Sequence, residues 1–324
     1  MKNNKMIIWF VLVITVIIPV YAQQYDSEKD FEIDWDPDVN DGVIITKYIG
    51  SKKEVRIPPK IQNYPVTRIG KEAFKSNQNI TSVTIPDSVT SIGNEAFRNC
   101  RSLTSVIIGN SVTRIGDIVF HGCNKLTRVN IPNSVIEIGS SSFSWCESLV
   151  SITIPESVTN IGGNIFWQCT SLTTINVDIG NTVYSSQDGI LYNKNKTALV
   201  SYPAGKKGST FTIPNSITTI GDSAFSTCTS LTNVIMPNSV TSIGGLAFAY
   251  CANLKSITIP SSVTSIGNSA FADCTSLISV TIPNSVISIG EAIFYGCTSL
   301  VSVTMSNNVT SIGAGTFVDC TSSL

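Results

Sequence analysis

Histidine, charge and paired cysteine motifs are what this 324-residue chain has least of. His121 is the only histidine and there is no C-x-x-C, so no residue set matches a zinc site built from grouped Cys and His. A Cys–His catalytic pair needs a reactive thiolate. The neighbouring Cys123 belongs instead to a regular column, and His121 fills a variable surface position of the same pattern. Carboxylates are concentrated near the N-terminus and do not recur as a facing pair. Ile161-Gly162-Gly163 and Ile243-Gly244-Gly245 lack the Lys-Ser/Thr that completes a phosphate loop. The chain therefore reads as non-catalytic, with no cofactor and no metal. Charged residues make up only 13% and the formal net charge is −1, so the basic footprint of a nucleic-acid binder is missing. Beyond residue 22 no apolar run approaches the ~20 residues of a spanning helix, so the mature chain is expected to hold no transmembrane segment.

The one long apolar run lies at the start. Lys2 and Lys5 precede Met6–Ile18, Pro19 follows, and Val20-Tyr21-Ala22 resembles a cleavage site. Residues 1–22 are read as a secretory signal, which predicts a secreted or cell-surface protein. No Cys follows the run, which argues against lipoprotein attachment.

What is abundant is repetition. Cysteines stand at 100, 123, 146 and 169, then at 228, 251, 274, 297 and 320, in steps of 23 broken once by a step of 59. The Phe column agrees, from Phe74 through Phe97, Phe120, Phe143 and Phe166 to Phe225, Phe248, Phe271, Phe294 and Phe317. A fixed period in the twenties is the signature of a solenoid. The clean copy Ser256–Ile278 shows its logic. Leu254, Ile257 and Ile259 fit a short strand stopped by Pro260, and Val263 and Ile266 return to the core. Gly267 is read as permitting a sharp reversal, and Asn268 as N-cap of a helical or 3₁₀ turn over 269–273 that buries Ala270 and Phe271. Strands are expected at Val55, Val83, Val106, Val129, Ile152, Ile175, Phe211, Val234, Ile257, Val280 and Val303, forming one parallel sheet. The fold class is an α/β-type repeat solenoid, with a parallel sheet on the concave face and short helical or 3₁₀ turns opposite.

Regular placement of all nine cysteines in the packing column predicts a ladder of buried, unpaired thiols. Rungs about 5 Å apart would also permit adjacent disulfides, although an odd number leaves at least one thiol free in a monomer.

Residues 23–54 form an acidic lead-in, read as a β-hairpin cap with Asp41-Gly42 at its turn. Asp34, Asp36 and Asp38 hint at a calcium loop, but Val39 and Ile45 occupy the positions of its Gly and Glu, so solvated acids are the preferred reading. Repeat block one spans 55–177 and block two 211–324. Between them, 178–210 is an enlarged coil with an expected two-stranded hairpin, Gly189–Tyr192 and Ala198–Tyr202. Its Lys194, Lys196, Lys206 and Lys207 form a basic cluster on a loop that is either simply solvated or a binding element. Outward strand positions are rich in Ser and Thr and hold no aromatics. Arg128, Asn130 and Asn233 depart from that pattern and are the leading ligand anchors, with Thr153 and Asn176 beside them. The end of the chain, Cys320-Thr-Ser-Ser-Leu, stops inside a coil, which suggests a fragment or an edge covered by a partner.

The repeat S-V-T-I-P-x-S-V-T-x-I-G-x-x-A-F-x-x-C-x-x-L resembles the 23-residue leucine-rich repeat of BspA-like bacterial surface proteins across about residues 55–320. Gly42–Gly50, Tyr64–Gly70 and Asp188–Tyr192 are similar to other parts of that family. The resemblance implies a right-handed solenoid, export or surface attachment, and adhesion to host matrix proteins, host cells or other bacteria. It supplies no catalytic residues. The resulting expectation is a non-catalytic adhesion module for host or microbial surface and matrix proteins. A glycan-binding module and a structural envelope spacer are the alternatives.

Overall fold

The computed structural model describes residues 25–305 and 307–321, so the signal expected over 1–22 and the last three residues lie outside the described residues. The repeat winds into a parallel-strand β-solenoid of about twelve turns. All eleven expected strand positions are strand, and neighbours within a sheet pair in parallel, with a 23-residue offset after the first pair, as Val83 with Val106 and Val280 with Val303. They do not form one sheet. A four-stranded sheet ends at Arg128–Asn130, Ser151–Ile154 pairs only with Thr174–Val177, and a five-stranded sheet begins at Thr210–Thr212.

Each coil also makes a second strand, which the sequence reading took for a turn. Ser91–Ile92, Arg114–Ile115, Glu137–Ile138 and Asn160–Ile161 build one ladder, and Thr219–Ile220, Ser242–Ile243 and Ser265–Ile266 continue another.

The expected helical turns are absent from the described residues, whose only helix is the 3₁₀ turn Glu28–Asp30. The α/β character is therefore corrected to an almost helix-free β-solenoid. The reason is backbone handedness. Ser269 and Asp273 have φ of +55° and +56°, and the same two positions recur with positive φ in other coils, as Glu95 and Asn99 or Ser141 and Trp145. A run interrupted by left-handed residues cannot propagate a helix. It turns alternate N–H groups outward: Phe97 N–H donates to Val119 O at 3.0 Å in the next coil, while Arg98 N–H closes a local turn on Glu95 O. Asn268 does not cap. Its Oδ1 accepts from Glu291 N–H at 3.0 Å one coil on, and Asn94, Asp117 and Asp222 do the same in their coils. Gly267 is also needed for a different reason than expected: a Cβ there would lie 2.4 Å from the backbone nitrogen of Gly245. Coils approach too closely at this column for any side chain.

The core columns bury as the repeat dictates. Phe74, Phe97, Phe120, Phe143 and Phe166 stack in file, with ring centroids 4.7 to 6.1 Å apart, and Tyr48 heads the file. Tyr202 heads a second file running from Phe225 to Phe317. All nine cysteines are unpaired. Cys100 Sγ lies 3.0 Å from Phe74 O, and Cys123, Cys146, Cys274 and Cys297 make the same contact one coil back. Burial pushes the thiols of Cys100, Cys169, Cys251 and Cys297 up to about 12, and those of Cys123, Cys146, Cys228 and Cys274 well up. Thiolate is the reactive form. Alkylation of the folded protein at neutral pH should therefore be slow at every site except the half-buried Cys320, and denaturation should release all nine, as read by mass. Four protected pairs after denaturation would show disulfides instead.

The N-terminal hairpin pairs Phe31–Trp35 antiparallel with Val43–Tyr48, which continues in parallel to Tyr64–Ile69. Asp34 and Asp38 are exposed as expected, but Asp36 is not solvated. Asp36 is buried, accepts from Thr67 Oγ1 at 2.6 Å, and pairs with Arg68 Nε at 3.0 Å; Arg68 also holds Asp38. Asp26 is buried against Lys52 and the Arg56 amide. The acids thus fasten the cap to the first coils. Among the described residues no group of His, Cys, Asp and Glu is placed to hold a metal.

Candidate functional site

The strand face brings three of the expected anchors together. Where the four-stranded sheet stops, Arg128, Asn130, Asn133, Ser151, Thr153 and Asp178 line a cleft of about 500 Å³. Arg128, Asn130 and Thr153 are exposed, and Val129 is half-buried where its counterparts Val83 and Val106 are buried. The opening therefore sets a guanidinium, two amides, hydroxyls and a carboxylate around a short apolar floor. Arg128 has no ion pair among the described residues. Asn176 is exposed one coil beyond, and Asn233 is half-buried in block two; neither lines the cleft. Ile107 and Ile235, also outward on this face, are 58% and 48% exposed, which gives it apolar points the Ser/Thr pattern did not suggest.

The enlarged coil is built into the solenoid. It holds three strands, Tyr184–Gln187, Ile190–Asn193 and Ala198–Ser201, in an antiparallel meander, and the third runs parallel to Thr219–Ile220. Asn181 is fully buried and saturates itself: Nδ2 donates to Pro155 O and Val158 O, while Oδ1 accepts from the amides of Val183 and Tyr184. Ile175 N–H donates to Gly189 O, so the meander closes the edge of the strand that ends block one. Its lysines are mostly occupied. Lys194 Nζ donates to Asn181 O, Lys196 Nζ to Gln187 Oε1 at 2.7 Å, and Lys206 Nζ to Asp188 O at 2.6 Å. Of the four, Lys207 alone is exposed and unengaged among the described residues.

The face formed by the turns carries a feature the strand pattern does not reveal. Trp145 and Trp167 meet edge to face at 5.8 Å, and Trp167 lies 6.1 Å from Tyr250 across the boundary made by the enlarged coil. Next to Trp145, a cleft of about 620 Å³ is lined by Asn99, Arg101, His121, Asn124, Lys125 and Glu147. Asn124 Nδ2 donates to Glu147 Oε1 at 2.9 Å. His121 lies on the wall of this cleft, where burial and the nearby Arg98 lower its pKa and favour the neutral ring. Of these residues the sequence singles out only His121, at a variable surface position. The available signal was positional: all three aromatics stand one or two places before the column cysteine.

Stacked parallel strands, a 23-residue register and a Phe–Cys core stacked in two files define a leucine-rich-repeat solenoid. The BspA-type leucine-rich repeat region matches residues 67–197 and 204–323 in six copies, and the chain belongs to that family. A leucine-rich cell surface protein from Faecalibacterium prausnitzii A2-165 is 32% identical, with 93% of each chain covered and a TM-score of 0.65. A leucine-rich-repeat protein from Eubacterium ventriosum is 28% identical over 86% of this chain and 90% of its own, with a TM-score of 0.69. One from Bacteroides ovatus is 30% identical over 94% and 82%, with a TM-score of 0.56. No protein of curated function matches the chain. The family is a repeat scaffold that points to protein interaction and is typically found at cell surfaces. Among the described residues no helix is long and apolar enough to cross a membrane.

Proposed function

We propose that this protein is an exported, surface-displayed, non-catalytic adhesion module that binds host or microbial surface proteins through its strand face. The observation that supports this reading is the cleft between Arg128–Asn130 and Ser151–Ile154. There the ladder opens, and an unpaired guanidinium, amides and a partly bared Val129 face solvent together. Protein contacts concentrate their energy in such spots, with Arg prominent among the residues that carry it. Export rests on the signal read over residues 1–22.

The test is saturable binding of the mature chain to a panel of immobilised matrix and bacterial surface proteins. The double change Arg128→Ala with Asn130→Ala is expected to weaken the captured partner about tenfold or more, roughly 1.4 kcal/mol or above. Both side chains are exposed, so thermal stability should stay within about 0.5 kcal/mol. Binding unaffected by the pair would move the contact off this cleft. A chain that captures nothing would favour a structural spacer.

A further inference from the structure

We propose that the turn face carries a saccharide-binding site separate from the strand-face cleft, with Trp145 as its stacking platform and Asn99, Arg101, Asn124 and Glu147 as its hydrogen-bonding rim.

The first ground is composition. A sugar ring offers an apolar C–H face and an edge of hydroxyls that each donate and accept. Small-molecule sites combine apolar or aromatic walls with a few convergent polar groups. The 620 Å³ cleft has one aromatic wall and a rim holding both kinds of partner: amide and guanidinium donors, and a carboxylate acceptor in Glu147. His121 lines the same cleft, but its Nδ1 is buried and does not belong to the rim. Arg101 and Lys125 against Glu147 leave only a small local charge, which does not single out a polyanion.

The second ground is backbone strain, and it is independent of the first. Trp145 sits in the left-handed region at φ +60°, and Tyr250 at +61°. Asn99, Gly122, Asp273, Gly296 and Asp319 at that column tolerate this conformation readily, while Ser76, Gln168 and Thr227 adopt it as well. A large ring there carries a backbone cost that Gly, Asn or Asp would not. Core packing does not repay it, because Trp145 remains 36% exposed and Tyr250 37%. Rings held at a cost and kept in solvent are display residues. Trp145, Trp167 and Tyr250 touch in sequence along the solenoid axis, a layout that suits an extended oligosaccharide lying lengthwise.

The experiment titrates the mature chain with short oligomers of β-linked glucose, galactose and N-acetylglucosamine and of mannose, following tryptophan fluorescence and heat. At least one series should bind with a shift in Trp emission. Trp145→Asn installs the residue that Asn99 already uses at this column, so the fold should hold. It is expected to weaken that series tenfold or more. Glu147→Gln and Asn124→Ala should each weaken it several-fold, while the Arg128→Ala with Asn130→Ala pair should leave it unchanged. No binding by any series at millimolar concentration would overturn the assignment, and so would binding that survives Trp145→Asn. A turn face that needs Trp145 to capture a protein but takes no oligosaccharide would overturn it as well.

Discussion

Replacing Tyr202 by Ala should cost about 3–5 kcal/mol, close to the loss of a buried Phe from a core. Tyr202 is 5% exposed, lies 4.9 Å from Phe211 and stacks on Phe225 at 5.3 Å, so it caps the second file of rings in the position a preceding Phe would fill. The loss should appear in urea denaturation as weaker protection of block two, because coils in a solenoid depend on their immediate neighbours. Tyr202→Phe is the control. The hydroxyl makes no hydrogen bond among the described residues, and burial holds its pKa up at about 12. That variant should stay within about 1 kcal/mol of the parent. If the Ala variant were equally mild, the enlarged coil would be an appendage rather than part of the core. Deleting 178–208 would then be harmless; with the packing described, that deletion is expected to uncouple the two blocks.

Asn181→Leu should be nearly as damaging, at about 3–5 kcal/mol. A single buried amide serves four partners: two carbonyls of the preceding coil, at 2.8 and 2.9 Å, and two amides of the meander, at 2.9 and 2.7 Å. Leucine fits the volume and satisfies none of them, and each buried group left without a partner costs about 1–3 kcal/mol before relaxation. Circular dichroism and thermal melting of the purified variant give the measurement. A melting point within a degree or two of the parent would mean that the meander does not depend on this anchor.

These two residues also mark where sequence reading stops. The period and the core columns were legible because burial constrains residue type: Phe97, Cys100 and Leu103 recur in kind along the chain. The second strand was not. Two-residue strands such as Ser265–Ile266 are too short to show alternation, and a single inward Ile looks the same in a turn. Left-handed backbone was masked because Ser269, Glu95 and Trp145 are not glycines, with only Gly122, Gly296 and Gly315 hinting at the conformation. Tyr184–Gln187 escaped because Tyr-Ser-Ser-Gln has no apolar face. Arg128 and Asn130 were visible as departures from a Ser/Thr background. The cleft between them and Thr153 was not, because a missing ladder pairing is a property of two coils together. The aromatic row was half legible. Trp145 N–H donates to Trp167 O, a contact between adjacent coils, whereas Tyr250 reaches Trp167 only because the enlarged coil folds back into line.

The regular offsets of the hydrogen bonds have a consequence for how such a molecule can change over time. Thr104 bonds to the carbonyl of Thr81 and Thr127 to that of Thr104; Thr241 and Thr264 reach back to Thr218 and Thr241 in the same way. Each of these partners lies 23 residues away, and its equivalent stands 23 residues further on. Excising one whole period from block two hands every broken bond a chemically equivalent acceptor, while excising one residue fewer misaligns all of them at once. Reach along the axis is thus a quantity that unequal recombination can adjust in steps of one coil. Cross-section, core and the chemistry of each face are carried through unchanged.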